Sequence, residues 1–366
     1  MHIFALAFGI LLFSITYYYH TRDYNNIPPP ENMSSLRTIK TILPGIEQAE
    51  GVGATVRRSI GNMKMRNFSP FLMFDHFSSN GVGGFPEHPH LGQETITLMT
   101  KGAFAHEDFT GSKGVLREGD LQFMTAGRGT VHSEMPVIHP DGSPNVGLQL
   151  WVDLPEELKE VEPRYRDLKT WEIPTVEQQD GKLKVRVISG KSYGVELLKE
   201  LAYTPVQYYH YVMKPGSHFS QEIPKDFNFF LYVLRGKNLV LQKNRKVSQY
   251  ENVFFNPDGT CIVGDYPETE KDELEFVLIG GKILDQKVVQ HGPFVATSRE
   301  RIQQAFLDYQ MARNGFERLR TWNSLISRGV TDEMVDGELN GSLEARENER
   351  KKFISKWKEG VIDENC

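Results

Sequence analysis

Short stretches of alternating apolar and polar residues occupy most of the chain between about residues 36 and 281, separated by Gly, Asp, Asn and Pro. The stretch Val146–Leu154 shows this pattern clearly, with Leu148 and Leu150 on one face and Gln149 and Trp151 on the other. Alternation with a period of two is typical of a β-strand that has one buried face. Many short strands at this spacing predict an all-β sandwich or barrel.

A second series of such strands begins near Leu183, after a charged, proline-bearing stretch at residues 155–179. The two series have similar length and rhythm, which we interpret as an internal duplication of one barrel type. We therefore predict an N-terminal barrel at residues 39–165 and a C-terminal barrel at residues 175–296.

The pattern becomes helical after the second series. Thr297 and Glu300 form a capping-box pattern, and apolar residues then recur at helical spacing. We predict two C-terminal helices at residues 297–326. A charged extension follows at residues 327–366, with a last helix at about Leu343–Lys358.

The first twenty residues form a separate apolar segment. Residues 3–19 carry no charge and as a helix would span about 26 Å, slightly less than the ~30 Å hydrocarbon core of a bilayer. We predict an N-terminal apolar helix at residues 1–20 that anchors the protein in a membrane. A signal peptide, a partly buried arm and a wrong start site are the alternatives. The first positive charge is Arg22, so the globular part is expected in the cytoplasm. Residues 21–38, rich in Pro and Asn, are a predicted linker.

Composition limits the function. A chain of 366 residues suggests about two domains, and a net charge of -6 disfavours direct binding of nucleic acid. The chain contains two cysteines, Cys261 and Cys366. They are too few for a disulfide framework or a four-cysteine zinc site.

Two pairs of metal-binding residues carry the main chemical signal. His88 and His90 are two residues apart, and so are His132 and Glu134. In a strand this spacing puts both side chains on one face, so two facing strands inside a barrel can bring all four to one ion. Three imidazoles and a carboxylate without a thiolate suit Fe(II), and other divalent transition metals stay open. Glu94, four residues after His90, is the alternative carboxylate ligand.

Other polar and aromatic residues lie near these pairs in the sequence. Phe85, Gln122 and Met124 are the predicted pocket residues. His106 lies in a polar triplet soon after Lys101-Gly102, and we interpret the triplet as loop residues. Histidines of the second series are not paired on one face, so we predict no metal in the C-terminal barrel.

Longer motifs resemble the pirin family of the cupin superfamily. The motifs are GVGATVRRSIG (51–61), FLMFDHF (71–77), GGFPEHPHLGQETIT (83–97), AHEDFTG (105–111), GDLQFMTAGRGTVHSEMP (119–136), GLQLWVDLP (147–155), GPFVATSRERI (292–302) and NGFERLRTW (314–322). The resemblance covers most of residues 40–326, whereas the apolar N-terminus and the charged extension lie outside it.

The resemblance implies a bicupin, two β-barrel (jelly-roll) domains packed face to face, followed by C-terminal helices. It also implies an iron in the N-terminal barrel, held by His88, His90, His132 and Glu134. In many other cupins the carboxylate ligand follows the first histidine pair, which would be Glu94. The pirin pattern favours Glu134 over Glu94.

The resemblance further implies a non-haem iron protein with activity of the quercetin 2,3-dioxygenase type on a flavonol-like aromatic substrate, with Glu134 as its base. The alternative is an iron-dependent, redox-sensitive regulator of transcription that binds protein partners in the cytoplasm and nucleus. A third reading is another cupin reaction, such as sugar-phosphate isomerisation. That reaction needs a basic phosphate pocket, for which Arg57, Arg58 and Arg128 are candidates.

Overall fold

The computed structural model of the protein describes residues 35–51, 53–81, 83–197 and 202–358. Antiparallel β-sheets dominate this part of the chain, and α-helices follow the last strand. The first twelve strands are β1 (Ile39–Pro44), β2 (Ile46–Glu50), β3 (Ala54–Ile60), β4 (Phe71–Ser79), β5 (Phe85–His90), β6 (Gln93–Lys101), β7 (Ala103–Asp108), β8 (Lys113–Arg117), β9 (Leu121–Thr125), β10 (Thr130–Pro136), β11 (Asn145–Asp153) and β12 (Arg164–Leu168).

Strands β2–β12 form the N-terminal barrel from two sheets. The N-terminal large sheet has the strand order β12-β9-β6-β11-β4-β3-β2, and the N-terminal small sheet has the order β5-β10-β7-β8. The predicted alternating stretch at Val146–Leu154 is strand β11, which pairs with β4 and β6 in the middle of the large sheet.

The second barrel repeats this arrangement, as the internal duplication predicted. Its strands are β13 (Thr175–Gln178), β14 (Leu183–Ser192), β15 (Val195–Leu197), β16 (Val206–Met213), β17 (His218–Glu222), β18 (Phe227–Arg235), β19 (Leu239–Leu241), β20 (Arg245–Val247), β21 (Glu251–Phe255), β22 (Cys261–Asp265) and β23 (Leu274–Lys282), followed by the hairpin β24 (Val289–His291) and β25 (Phe294–Ala296). The C-terminal large sheet has the order β1-β21-β18-β23-β16-β14-β13, with β15 beside β14, and the C-terminal small sheet has the order β17-β22-β19-β20.

The two large sheets pack face to face through one apolar core. Leu148 and Leu150 of β11 lie in the same buried cluster as Phe230 and Tyr232 of β18. The ring centroids of Phe74 and Phe230 are 5.1 Å apart at an interplanar angle of 66°, a favourable edge-to-face arrangement. The predicted apolar face of β11 therefore forms the interface between the barrels.

The interiors of the two barrels differ in polarity. In the C-terminal barrel Tyr211, Phe219 and Phe276 pack against one another with centroids 4.8 to 5.3 Å apart. In the N-terminal barrel the inward faces of β6 and β11 carry Thr97 and Gln149, which bond to each other at 2.6 Å. A polar interior needs partners for its buried groups, and this barrel supplies them around the candidate site.

The start of the described chain belongs to the C-terminal large sheet through hydrogen bonds. Strand β1 pairs with β21, and only Gly45 separates β1 from β2 of the other barrel. Arg37, in the predicted linker, is fully buried and donates to the carbonyl oxygens of Gly259 at 3.0 Å and Phe227 at 2.6 Å. The predicted domain bounds, which assigned residues 39–165 to the first barrel, stay a prediction.

Three α-helices follow the strands within the described part of the chain: α1 (Arg299–Gln310), α2 (Asp332–Asp336) and α3 (Leu343–Lys358). The N-cap of helix α1 is Ser298, one residue after the predicted Thr297, because the Ser298 hydroxyl accepts a hydrogen bond from the backbone N–H of Arg301. The prediction of a second helix before residue 327 is wrong, since residues 311–326 contain only a 3-10 turn at Glu317–Arg320. Helix α3 has the predicted bounds.

The predicted apolar helix at residues 1–20 lies outside the described residues. Within the ranges that the structure describes, no helix combines the length and the apolar character needed to cross a membrane. The described part of the chain gives no support to the predicted N-terminal apolar helix or to the membrane-anchored localisation, and neither prediction is retained.

Candidate metal centre

Strands β5 and β10 bring the two sequence pairs together. They are antiparallel neighbours, with His132 opposite His88 and Thr130 opposite His90. Because side chains alternate along a strand, His88, His90 and His132 project from the same face of the N-terminal small sheet. The period-two spacing therefore produces the predicted convergence of the three imidazoles.

The three imidazoles form a tight group. Nε2 of His132 lies 2.9 Å from Nε2 of His88, and one ring nitrogen from each of the three residues lies within 4.8 Å of the others. The ring centroids are 4.3 to 5.0 Å apart. Since metal–imidazole bonds are about 2.0–2.1 Å, two such ligands at a right angle would be about 3 Å apart. The observed spacing fits one shared transition-metal ion.

Neighbouring groups orient the rings. His88 Nδ1 donates to the carbonyl oxygen of Pro86 at 2.7 Å, which leaves its Nε2 lone pair facing the group. His90 Nδ1 lies 2.9 Å from the Gln93 side-chain nitrogen, and the Trp151 ring packs edge-on against His90 at 5.1 Å. These contacts fix the imidazoles before any ligand binds.

Burial keeps the imidazoles in their metal-binding form. It lowers the pKa of His88, and lowers the pKa of both His90 and His132 well below the usual histidine value. The rings are therefore neutral near pH 7, with lone pairs available. His90 Nε2 is buried and has no hydrogen-bond partner among the described residues, an arrangement that a bound cation would satisfy.

Glu134 adds a carboxylate to this group. Its Oε2 lies 3.9 Å from His132 Nε2 and accepts a 3.4 Å hydrogen bond from Gln149. Burial raises the pKa of Glu134 to about 7, whereas a neighbouring cation would favour its charged form. Three neutral imidazoles and one carboxylate suit a divalent transition metal, so the residues present fit such an ion.

The alternative carboxylate, Glu94, lies in β6, on the face opposite to that of Gln93 and Thr97. It accepts hydrogen bonds from the backbone N–H groups of Tyr203 at 2.9 Å and Thr204 at 3.0 Å, and from the Thr125 hydroxyl at 2.7 Å. The bonds from Tyr203 and Thr204 tie β6 to the segment that leads into β16 of the second barrel. Glu94 therefore has a structural position and does not join the imidazoles.

A cavity of about 1010 Å³ opens at the metal-binding group. His88, His90 and Glu134 lie on its wall, together with the aromatic side chains of Phe85 and Trp151. Phe85 was a predicted pocket residue, and the structure places it here. The size lies at the upper end of the ~300–1,000 Å³ that is usual for small-molecule pockets.

The other two predicted pocket residues do not border this cavity. Both are buried inside the barrel and contact residues of β12. Gln122 donates to Asp167 at 3.1 Å, and the Tyr165 hydroxyl donates to the sulfur of Met124 at 2.8 Å. The sequence predicted that Gln122 and Met124 of β9 line the barrel, but it gave no information on their partners in β12.

The sequence did not indicate that the β24–β25 hairpin completes the cavity wall. The backbone N–H of Leu91 donates to the carbonyl oxygen of Pro293 at 3.2 Å, and the N–H of Val295 donates to the carbonyl oxygen of Leu91 at 3.0 Å. The Gln93 side chain also donates to the carbonyl oxygen of Pro293 at 3.0 Å. Gly92 has φ +73°, and a Cβ there would lie 2.0 Å from the carbonyl oxygen of Val295. Glycine is therefore needed where the hairpin meets the end of β5.

His106 was interpreted as a loop residue, and this is wrong. It lies in strand β7, directly opposite Glu134 of β10, and is buried. Its Nε2 lies 3.0 Å from Asp167 Oδ2. The strand has the sequence AFAHED, whose small and polar residues lack the apolar alternation that identifies most strands. The position of His106 in this run before the turn was the only local signal for a strand.

A polar-lined β-barrel with a three-histidine group, packed against a second barrel with an apolar interior, defines a two-domain cupin with a metal-binding site. Sequence comparison then gives the family. The model described as Pirin matches residues 53–152, and that described as Pirin C-terminal cupin domain matches residues 208–315. The chain belongs to the pirin family.

Individual relatives agree with this assignment. The chain is 42% identical to pirin from Homo sapiens over 300 residues, which cover 80% of this chain and 99% of that protein. It is 44% identical to a pirin-like protein from Solanum lycopersicum over 277 residues, 76% of this chain and 92% of the relative. The crystal structure of a quercetin 2,3-dioxygenase from Acinetobacter baumannii has a TM-score of 0.69 at 23% identity, covering 76% of this chain and 98% of that one. This likeness shows a shared fold.

Proposed function

We propose that the protein is a non-haem iron dioxygenase that acts on a flavonol-like or other enolic aromatic compound, as a quercetin 2,3-dioxygenase does. The observation that carries the proposal is the group of three neutral imidazoles with Glu134 on the wall of a cavity that also has aromatic walls. The donor set favours Fe(II), which would be held by His88, His90, His132 and Glu134.

When bound, the iron supplies Lewis acidity and redox chemistry towards O2. The protein's own residues bind the substrate and move its proton. Glu134 is placed to accept the proton of an enolic hydroxyl that lies beside the imidazoles. Gln149 donates to Glu134 and accepts from Thr97, so the carboxylate is held in one orientation.

The walls of the cavity match a flat aromatic substrate. Phe85, Phe77 and Trp151 present ring surfaces to it, and Val56 and Leu72 add apolar contacts. Such surfaces favour an aromatic scaffold and exclude water from the reacting end. The Acinetobacter neighbour with the quercetin 2,3-dioxygenase name supports the fold needed for this chemistry.

Sugar-phosphate isomerisation would need free arginines to bind the phosphate, but each candidate arginine is paired with a carboxylate. Arg57 pairs with Glu47, and Arg58 pairs with Asp75 at 2.7 Å and Glu50 at 2.9 Å. Arg128 pairs with Glu162 at 3.1 Å. These arginines are ion-pair partners, so the aromatic substrate is preferred.

Turnover of quercetin by iron-loaded protein tests the proposal. We expect O2 uptake and loss of the flavonol absorbance at a rate above that of the same amount of free iron. The variant His132→Ala should lose this activity, because one of the three imidazoles is gone. The matched control is His218→Ala, an exposed histidine of the C-terminal barrel, which should keep it. Equal rates for wild type and free iron, or full activity in His132→Ala, would reject the proposal.

A further inference from the structure

The outer part of the cavity carries three cations from separate parts of the chain. Arg66 lies between β3 and β4, Lys287 precedes the β24–β25 hairpin, and Arg299 begins helix α1. All three side chains are exposed, whereas His90 and Glu134 on the same cavity wall are buried. The cations therefore line the mouth of the cavity, which we call the cationic mouth.

These cations have no carboxylate partner within hydrogen-bonding or ion-pairing distance among the described residues. Arg58 binds both Asp75 and Glu50, so these three residues leave one net negative charge, which is fewer than the three positive charges of the cations. The remaining acid of the cavity, Glu134, belongs to the metal-binding group. The mouth is therefore positive although the whole chain has a net charge of -6.

We infer that the substrate of this site is an anionic aromatic, with its enolic end at Glu134 and a carboxylate or sulfate group at the cationic mouth. The inference rests on the proposed function and specifies its substrate class. Arg66, Lys287 and Arg299 are the residues that determine this specificity. Apolar side chains between the two ends, such as Leu72 and Val289, contact the aromatic scaffold.

Charge and size both favour this assignment. A cavity of about 1010 Å³ has room for a flavonol and a further substituent. Arginine binds carboxylate and sulfate oxygens through paired N–H groups, and lysine adds a point charge. Each exposed pair contributes modestly, so three together predict about tenfold tighter binding of the anion.

Binding measurements on the metal-loaded protein distinguish the contribution of the anionic group from that of the aromatic scaffold. In quercetin 7-glucuronide a carboxylate replaces the sugar hydroxymethyl group of quercetin 7-glucoside, and calorimetric titration gives a Kd for each. We expect the glucuronide to bind about tenfold tighter at low salt, with the preference shrinking as salt rises. A sulfonated quercetin in a parallel titration shows whether sulfate-like or carboxylate groups are preferred.

Glutamine variants assign the preference to the three residues. The triple variant Arg66→Gln, Lys287→Gln, Arg299→Gln should bind both glycosides with equal affinity, and its affinity for the glucoside should stay within about twofold of wild type. The matched control is Lys246→Gln, an exposed lysine on β20 outside the cavity, which should keep the preference.

Equal affinity of wild type for the two glycosides, no measurable binding of either anion, or a preference that survives in the triple variant would overturn the inference. The readout is independent of turnover. If the protein prefers the glucuronide through these cations but does not oxidise quercetin, only the dioxygenase proposal is rejected. If it oxidises quercetin but shows no such preference, only the inferred substrate class is rejected.

Discussion

Glu134 and Glu94 show how one residue type takes two roles through its position on a strand. Glu134 lies on the face of β10 that carries His132, and its carboxylate is 3.9 Å from that imidazole. Glu94 lies on the face of β6 opposite to that of Thr97 and accepts hydrogen bonds from two backbone N–H groups just before β16 of the second barrel. One is therefore a candidate ligand, and the other connects the barrels.

The substitution Glu94→Gln should reduce stability without changing the metal content. Glutamine offers fewer acceptor sites than the carboxylate, so at least one buried N–H loses its partner at a cost of about 1–3 kcal/mol. Chemical denaturation measures the loss, and elemental analysis measures the metal. The control Glu118→Gln, at an exposed turn, should stay within about 0.5 kcal/mol of wild type. Loss of metal in Glu94→Gln would contradict the assignment.

At this scale the sequence predicted the three histidines because the strand period fixes which side chains share a face. Spacing alone left Glu94 and Glu134 open, since either can follow a histidine pair in a barrel. The partners that separate them, Tyr203 and Thr204, are more than a hundred residues from Glu94. Only the folded chain brings them together.

The elements after the second barrel cover the outer face of the sheet that carries the site. Val330, Val335 and Leu339 pack in one cluster with Ala105 of β7 and Met135 of β10. Helix α3 adds Arg346, whose guanidinium donates to buried Asp120 at 2.5 and 2.7 Å and lies over the Trp171 ring at 4.7 Å. The charged extension thus docks on the N-terminal barrel.

Removing this anchor should weaken the docking of α3. Arg346→Ala leaves the Asp120 carboxylate without its guanidinium, and we expect the free energy of unfolding to fall by about 2 kcal/mol. The control is Arg350→Ala on the same helix, because its pair with Glu347 is exposed and contributes at most about 0.5 kcal/mol. Denaturation and limited proteolysis near residue 342 measure both. Equal stability of the two variants would show that α3 is not held through Asp120.

The helical period was enough to predict the bounds of α3, and alternation predicted the bounds of β11 to within one residue. Docking was not predictable, because a charged helix with a weak apolar stripe gives no local signal for its partner. The short helix α2 was also missed, since five residues are too few to show a period.

The whole molecule combines a barrel that has a polar interior with a barrel that has a packed aromatic interior. Their large sheets share one core, in which Phe74 contacts both Phe230 and Tyr232. The internal duplication was visible in the rhythm of the strands. The pairing of β1 with β21 was not, because nothing in Ile39–Pro44 specifies which sheet edge it joins. The second barrel also supplies the hairpin that closes the cavity, so the site depends on both halves of the chain.

Metal content of the purified, dialysed protein tests the central claim most directly. Elemental analysis should find one transition-metal ion per chain in the wild type and in His218→Ala. His88→Ala and His132→Ala should lose it, and Glu134→Ala should bind it more weakly with an altered electron paramagnetic resonance spectrum. Retention of a full equivalent of metal with an unchanged spectrum in the two histidine variants would contradict the account, because the ion would then be held elsewhere.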